Sequence, residues 1–427
     1  MFESLYLAYN HYQSLTNEQD SKDYLENMVV RADLSCSPRS FSRSQFRKIP
    51  GLSSLYRKNS FDKLNQAVRS MEEYVFANIE EDSFDRKQAG GACSMLFHVA
   101  NHAKSPENSA LLKKIEKIYY RLLPVAIDEE WQQSFLQALT FKDRDALWDM
   151  RKKIYSITKL ASIYGFLFNG KYLSLDPALT KKMQENTKLW DIDTLPRITQ
   201  ERRFDKPQIV VSNQDTFVLA ETFLKEGYNP LVLNMACSDY PGGGVEEGAS
   251  AQEESLFRRS NYHHALNLNE NPYLKEQLES KYQISEFGVI YTPNLQVFRG
   301  AEAAGYPFIQ PFTVNMIASP AYDCRPCGDK PLDKEKYDEE KYVEGMKNKI
   351  RIILRCAAYY GHDALVLGAY GCGSFCNNPE EVSTFFQDVF EESEFTGQFK
   401  CIGFAILALE KIGKTSLDAF SKQFLSE

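Results

Sequence analysis

The sequence predicts an α/β protein in which a three-layer α/β/α domain with a mixed, largely parallel sheet follows a mostly α-helical N-terminal region. From about residue 205, short apolar runs alternate with amphipathic segments, as they do around parallel sheets. Residues before that point show helical spacing and lack long β-branched runs. Because 427 residues are many for one compact domain, we predict two domains, residues 1–195 and 196–427.

The N-terminal region is predicted to be helical chiefly from the pattern of residues 61–75. Apolar side chains there keep a helical spacing on one face: Leu64, Val68, Met71 and Val75. Gly90 and Gly91 mark a break in the pattern. The basic, serine-rich stretch Arg39–Arg57 is either a flexible segment or a contact surface, and the sequence does not choose between the two.

The second domain is predicted element by element from β-branched runs, amphipathic periods and helix-stop signals. Its first half has strands at 208–212 and 231–235, a helix at 216–226 ended by Gly227, and a helix at 251–267. Its second half has strands at 288–291, 297–298, 313–318, 364–368 and 401–407, with helices at 342–360 and 379–390. Ligands of such sheets bind beyond the carboxyl ends of the strands.

Composition limits the partners and the compartment. A net charge of −8 and a pI near 5.5 argue against direct nucleic-acid binding. No secretory signal and no apolar run of membrane-spanning length is seen, so we expect a soluble protein without a membrane partner. Nine cysteines, an odd number at irregular spacing, indicate reduced thiols. We therefore expect a cytoplasmic protein, in its own cell or, if it is an effector, in a host cell.

Metal-ligating patterns are incomplete. Cys324 and Cys327 form the only C-x-x-C pair, and no second pair or suitably spaced histidine completes a zinc site. His263 and His264 are expected on one helix, pointing in different directions and without a chemical role. We predict neither a metal nor another cofactor.

The most informative segment begins with three glycines, Gly242–Gly244, directly after a predicted buried strand. Glycines permit a tight turn that comes close to a ligand and points consecutive N–H groups at an anion. After a spacer of seven residues come Gln252, Glu253 and Glu254, and the two carboxylates can supply proton chemistry beside that turn.

The two glutamates are predicted to differ in role. Ser250 and Glu253 have the spacing of a capping box, so Glu253 is expected to cap the helix and orient its neighbours. Glu254 lies about 100° further around the helix and is free to face a ligand. The alternative for Glu254 is a helix-start carboxylate favoured by the helix dipole.

A second glycine loop follows the strand that ends at Gly368. Gly371 and Gly373 are spaced for an N–H nest before a helix that begins near Pro379. Two nests at neighbouring strand ends suit a ligand with two linked phosphates. The loop lacks the lysine of a nucleoside-triphosphate-binding loop, which argues against triphosphate hydrolysis.

Together these motifs resemble the bacterial-type poly(ADP-ribose) glycohydrolase family, whose catalytic domain has the macrodomain fold. The family's signature of three glycines, a short spacer and Gln-Glu-Glu is similar to Gly242–Gly244 and Gln252–Glu254. Further similar segments are Ser212–Thr216, Leu233–Ala236, Tyr291–Asn294, Val297–Arg299 and Leu365–Phe375. The resemblance covers residues from about 205 to 410.

The resemblance implies a binding site for ADP-ribose. Asp215 would lie near the adenine and Asn234 near the distal ribose. The first loop would surround that ribose and a phosphate through Gly242, Gly243, Gly244 and Val245. The second would contact the diphosphate through Gly371, Cys372, Gly373, Ser374 and Phe375, with Phe375 on the sugar. Gln252 belongs to the signature, Glu253 would position the ribose, and Glu254 would be the catalytic acid and base.

One departure from the family concerns the pocket mouth. Asn315 stands where an acid is often expected, and Asp323 follows near the mouth. With Asp329 or Asp333 behind it, Asp323 would hold the guanidinium of an ADP-ribosylated arginine. The alternative is a solvated acidic loop.

The sequence therefore predicts an ADP-ribosyl glycohydrolase that releases ADP-ribose from an ADP-ribosylated protein, such as an arginine-linked one, or from poly(ADP-ribose) chain ends. Breaking the bond at the anomeric carbon builds oxocarbenium character, so the leaving group needs a proton and a water must be activated. One buried carboxylate can do both in turn. Two alternatives remain, namely a macrodomain that binds ADP-ribose without turnover and a scaffold whose helical half binds a partner.

Overall fold

The computed structural model describes residues 61–78, 108–122, 129–169, 171–199, 202–325, 339–408 and 411–425. They form two compact units, one within residues 1–133 and 164–172 and the other within residues 134–163 and 173–427. The domain boundary near residue 195 stays a prediction. Five features singled out in the sequence lie outside the described residues: Arg39–Arg57, Gly90–Gly91, Cys327, Asp329 and Asp333.

In the first unit, helices α1 (Phe61–Asn78) and α2 (Asn108–Leu122) pack against each other. The predicted helical face of α1 is confirmed, since three of its side chains are fully buried: Val68, Met71 and Val75. Strands β1 (Phe166–Phe168) and β2 (Lys171–Leu173) form a separate two-stranded sheet.

A seven-stranded sheet forms the centre of the second unit. Its strands are β3 (Lys188–Asp191), β4 (Gln208–Ser212), β5 (Pro230–Met235), β6 (Gly288–Arg299), β7 (Phe308–Ser319), β8 (Ala364–Leu367) and β9 (Cys401–Ala405). The order across the sheet is β3-β6-β7-β5-β8-β9-β4. Pairs β3–β6 and β6–β7 are antiparallel, and the remaining four pairs are parallel. The predicted mixed, largely parallel sheet is confirmed.

Helices cover both faces of this sheet. Further helices are α3 (Glu129–Phe141), α4 (Arg144–Tyr164), α5 (Pro177–Asn186), α6 (Thr216–Lys225), α7 (Gln252–Arg259), α8 (His263–Leu266), α9 (Pro272–Gln277), α10 (Glu339–Tyr359), α11 (Pro379–Glu391) and α12 (Lys411–Leu425). One core, which includes Ile353 and Phe386, joins the sheet to α10, α11 and α12. The other, which includes Phe223 and Phe257, joins it to α6, α7 and α9. The three-layer prediction is therefore confirmed.

The single helix predicted at 251–267 is wrong. The chain leaves the helix at Ser260, whose backbone is extended (φ −144°, ψ 176°) and forms a β-bridge with Val297. Helix α8 starts only at His263. The bridge to β6 gives hydrogen-bond partners to buried backbone groups there. This contact with a distant strand stabilises the chain more than continuing the helix would.

The separate strands predicted at 288–291 and 297–298 are one strand, β6. Its register against β7 shifts between Thr292 and Leu295, where Asn294 has a φ of +56°. This irregularity interrupts the alternation of side chains, so the sequence pattern resembles two short strands. Other predicted elements are confirmed, with ends shifted by a few residues.

Strand β3 and helix α12 were not predicted. β3 is a four-residue edge strand whose side chains are half-buried or exposed, so it carries no apolar run. α12 packs Phe420 at 5.0 Å from the Phe404 ring. Among the residues described, no helix is both long and apolar enough to cross a membrane.

Candidate functional site

Three loops meet at the carboxyl edge of the sheet. Strands β7, β5 and β8 are adjacent and parallel, so the segments that follow them lie side by side. The prediction that the two glycine loops leave neighbouring strands is confirmed. Residues 236–251 are here the first glycine loop, residues 368–378 the second glycine loop, and residues 320–325 the β7 loop.

Gln252 fastens the start of α7 to the end of β5. Its Oε1 accepts a hydrogen bond from the N–H of Met235 at 2.9 Å, and its Nε2 donates to the C=O of Leu233 at 2.7 Å. Nε2 also lies 3.3 Å from Oγ1 of Thr216. These bonds give Gln252 a positioning role, and direct contact with a ligand stays a prediction.

Glu253 is buried and accepts three hydrogen bonds. Its Oε2 accepts from the N–H of Cys237 at 2.7 Å, and its Oε1 accepts from the N–H of Gly242 at 3.1 Å and from Nδ2 of Asn234 at 3.2 Å. Burial raises the pKa of Glu253 to about 8, although these donors act in the opposite direction. The protonated form is therefore favoured at neutral pH.

The capping box predicted from Ser250 and Glu253 is wrong. The N-cap residue of α7 is Ala251, which makes no side-chain cap bond, and Ser250 is exposed. The exposed amide of a helix start can bond to water, whereas the buried N–H of Gly242 cannot. Glu253 turns toward the N–H groups of Cys237 and Gly242, so it does not cap the helix.

Glu254 is 7% exposed, and only one of its carboxylate oxygens accepts a hydrogen bond from the described residues. Its Oε1 accepts a hydrogen bond from the N–H of Gly244 at 2.9 Å. Its Oε2 is buried and has no hydrogen-bond partner among the described residues. Buried polar atoms in folded proteins are rarely left unpaired. The Oε2 atom is therefore an acceptor for which the described residues provide no donor.

The first glycine loop has its shape because it must approach two carboxylates. Gly242 and Gly243 have φ values of +84° and +54°. A Cβ atom on Gly243 would lie 2.7 Å from Oε1 of Glu254 and 3.2 Å from Oε2 of Glu253. Both the backbone conformation and the space therefore require glycine here.

The prediction that this loop points consecutive N–H groups at an anion is wrong for residues 242–245. The N–H groups of residues 242 and 244 donate to the two glutamates, and those of residues 243 and 245 donate to carbonyl groups nearby in the chain. The loop thus holds the acid pair of the protein itself. Contact of a ligand with Gly242, Gly243, Gly244 or Val245 stays a prediction.

The second glycine loop keeps N–H groups available. Hydrogen bonds among the described residues use none of the backbone N–H groups of residues 373–375. Asn377 fixes the loop from inside, since its Nδ2 donates to the C=O of Gly371 at 3.0 Å and to that of Tyr322 at 2.7 Å. The predicted nest fits this loop, while ligand contacts of Gly371, Cys372, Gly373, Ser374 and Phe375 stay predictions.

Asp215 and Asn234 both make hydrogen bonds to other residues of the protein. Oδ1 of Asp215 caps α6 by accepting from the N–H groups of residues 217 and 218, and it pairs with Arg259 at 2.5 Å. Asn234 is fully buried and donates to Glu253. Their predicted places near adenine and ribose stay predictions.

Asp323 does not form a free acidic mouth. Its carboxylate makes a bidentate ion pair with Arg325, with distances of 2.5–3.0 Å. Binding of a substrate guanidinium by Asp323 stays a prediction, and it would require the pair with Arg325 to open. Arg325 was not among the predicted site residues.

The sequence predicted that His263 and His264 point in different directions, and this prediction is wrong. Their ring centroids lie 4.0 Å apart, and the Nε2 atoms of both rings lie within 3.3 Å of Oγ of Ser162. Nδ1 of His264 contacts the Glu270 carboxylate. Within the described part of the chain, these two histidines and Glu270 are three neighbouring side chains of the types that bind metals. Their hydrogen bonds with Ser162 connect α8 to α4.

Helix α4, which the sequence placed in the N-terminal half, supports the first glycine loop. Lys159 forms an ion pair with Glu246 at 2.7 Å, and Thr158 donates to the C=O of Arg258 at 2.7 Å. A Cβ atom on Gly248 would lie 2.4 Å from the C=O oxygen of Trp148. No sequence pattern indicated this contact, because it joins segments about one hundred residues apart.

Comparison with known proteins gives a consistent result. Residues 161–300 match the family profile described as microbial-type PARG, catalytic domain. A poly(ADP-ribose) glycohydrolase from Thermomonospora curvata is 26% identical, with a TM-score of 0.55 over 64% of this chain and 99% of that one. The same enzyme bound to the inhibitor ADP-HPD is 27% identical, with a TM-score of 0.54 over the same shares. No curated protein matches the chain.

We predict that Gly243→Ala lowers the free energy of unfolding by about 2–4 kcal/mol, because the added Cβ meets both glutamates and the φ is positive. Gly227→Ala is the matched control, since Gly227 also has a positive φ but open space around it. It should cost about 1–2 kcal/mol. Chemical denaturation of both variants measures the difference. Equal losses would show that the close approach to the glutamates is not a constraint.

We also predict a pH dependence that originates in Glu253. Between about pH 4.5 and about 8 the folded chain holds a proton on this carboxyl that the unfolded chain releases. The free energy of unfolding therefore falls as pH rises through this window, by up to about 1.4 kcal/mol per pH unit. Denaturation curves at several pH values measure the slope. In Glu253→Gln this contribution should vanish, whereas the exposed control Glu247→Gln should keep it. An unchanged slope in Glu253→Gln would contradict the assignment.

Proposed function

We propose that this chain, which carries a catalytic domain of the bacterial-type poly(ADP-ribose) glycohydrolase family, hydrolyses the bond at the anomeric carbon of ADP-ribose units. The substrate is poly(ADP-ribose) at its chain ends, and the product is ADP-ribose. The family assignment made from the glycine and Gln-Glu-Glu motifs agrees with the profile match and with the Thermomonospora curvata structures.

One observation carries the proposal. Glu254 is buried with one oxygen fixed by the N–H of Gly244 and the other without a partner among the described residues. At the end of the adjacent strand β8, a loop offers N–H groups that the described residues leave unused. An acid with an unpaired oxygen and a loop of unused N–H groups on neighbouring strands suit glycosidic cleavage of a diphosphate-linked sugar.

The reaction follows from the roles of the two glutamates. Glu254, protonated, donates a proton to the leaving ribose oxygen as the C–O bond breaks and positive charge develops on the sugar. The resulting carboxylate then removes a proton from a water that attacks the anomeric carbon, which regenerates the acid. Glu253 stays in place through Cys237 and Gly242 and orients the ribose.

Each part of ADP-ribose would bind to a different segment of the site. The diphosphate would lie on the second glycine loop, where the described residues leave the N–H groups of residues 373–375 unused, with Phe375 against the sugar. The first glycine loop would then contact the distal ribose through its backbone surface, since its own N–H groups hold the glutamates. Asp215 at the start of α6 would define the adenine end.

The structure favours polymer ends over arginine-linked protein as the substrate. Recognition of a modified arginine rested on Asp323, whose carboxylate is paired with Arg325. Poly(ADP-ribose) is also the substrate named for the Thermomonospora curvata enzyme.

Replacing Glu254 by Gln tests the proposal. We expect kcat for release of ADP-ribose from poly(ADP-ribose) to fall by about 10²–10⁴-fold, as for loss of a general acid. The affinity for ADP-ribose, measured by calorimetry, should remain close to that of the natural chain, because the amide keeps the Gly244 N–H bond. This pair of results also separates an enzyme from a macrodomain that only binds.

Glu247→Gln is the matched control, since Glu247 is an exposed carboxylate on the same loop. It should turn over polymer at the natural rate. Equal turnover by Glu254→Gln and Glu247→Gln would contradict the role of Glu254, and absence of ADP-ribose binding by the natural chain would contradict the proposed function itself.

A further inference from the structure

The pyrophosphate of the ligand needs partners that the first glycine loop cannot supply. This step rests on the proposed function, under which the ligand carries two negative charges at neutral pH. The N–H groups of residues 242–245 are occupied by the two glutamates and by backbone carbonyls. The chain as a whole has a net charge of −8. A local cation would therefore contribute more here than in a basic protein.

The β7 loop brings such a cation to the site. The N–H of Cys324 donates to the C=O of Phe375 at 2.8 Å, and the C=O of Tyr322 accepts from Nδ2 of Asn377 at 2.7 Å. Ala321 lies so close to Gly371 that a Cβ on that glycine would come within 2.6 Å of it. The β7 loop is thus attached along the second glycine loop up to the residue before Arg325.

The guanidinium of Arg325 lies beside the second glycine loop. It is 5.3 Å from the centroid of the Phe375 ring, within the range of a cation–π contact. Phe375 belongs to the segment 373–375, whose backbone N–H groups the described residues leave unused. The cation therefore lies beside these N–H groups.

We propose that Arg325 binds the pyrophosphate of ADP-ribose, and that Asp323 holds this guanidinium in place until the ligand arrives. An arginine presents a planar fork of donors that fits two phosphate oxygens, as it now fits the two oxygens of Asp323. The pair is partly exposed, so a phosphate can reach the guanidinium. Asp323 then competes with the ligand and does not bind it.

An ordinary surface ion pair is the alternative, and it predicts no effect on binding. Calorimetric titration of the full chain with ADP-ribose, and with adenosine as a probe without phosphate, separates the two. The variants are Arg325→Ala, Arg325→Lys and Asp323→Asn. Arg69→Ala is the control, because it removes the same charge from an exposed position of α1.

We expect Arg325→Ala to weaken ADP-ribose binding by about 10–100-fold, which is the range of lost charge-assisted hydrogen bonds. Arg325→Lys should lose less, because it keeps the charge without the fork. Asp323→Asn should bind ADP-ribose at least as tightly as the natural chain. Binding of adenosine should not change in any variant, and Arg69→Ala should behave as the natural chain.

Three results would overturn the proposal. Natural affinity for ADP-ribose in Arg325→Ala would show a surface ion pair. Loss of polymer turnover in that variant without loss of ADP-ribose affinity would place Arg325 on the next unit of the polymer. Weaker binding in Asp323→Asn would show that the carboxylate itself contributes to the site. If the natural chain bound no ADP-ribose, the proposed function would fail together with this inference, and the titration of the natural chain identifies that case.

Discussion

The site depends on two backbone N–H groups that hold two neighbouring carboxylates. Gly242 donates to Glu253 and Gly244 donates to Glu254, so a single turn of chain fixes both acids relative to β5. The residue between these donors must be a glycine because its Cβ would lie between the carboxylates. The triple glycine is therefore required mainly because the turn must approach Glu253 and Glu254. Contact with a ligand is a secondary reason. This arrangement leaves one oxygen of Glu254 without a partner among the described residues, and the proposed chemistry uses that oxygen.

The two glycine loops then have different tasks. The first positions acid groups, and its N–H groups are internally satisfied. The second is held by hydrogen bonds from Asn377, and no described residue accepts from its N–H groups at residues 373–375. Since both loops leave adjacent parallel strands, the acid and the nest come within reach of one small ligand without any further domain. Helix α4 stiffens the first loop from outside through Lys159 and Thr158.

Much of this could be predicted from sequence where the signal is local. The alternation of apolar strands with amphipathic helices fixes the sheet, and the Gln-Glu-Glu motif after three glycines marks the acids. Predictions failed where distant groups compete with local ones. Ser250 and Glu253 have capping-box spacing, yet Glu253 turns to Cys237 and Gly242, which are more than ten residues away. The pairing of Asp323 with Arg325 depends on a loop conformation that spacing does not encode. Asn294 interrupts the pattern of β6 because of its positive φ, although the strand continues through it.

A crystal structure of the full chain with bound ADP-ribose tests the central claim most directly. The account predicts that the anomeric carbon of the distal ribose faces Oε2 of Glu254, with the pyrophosphate on the N–H groups of residues 373–375 and Glu253 still bonded to Gly242. A distal ribose bound away from Glu254, or a Glu254 carboxylate whose second oxygen is satisfied by the protein in the complex, would contradict it.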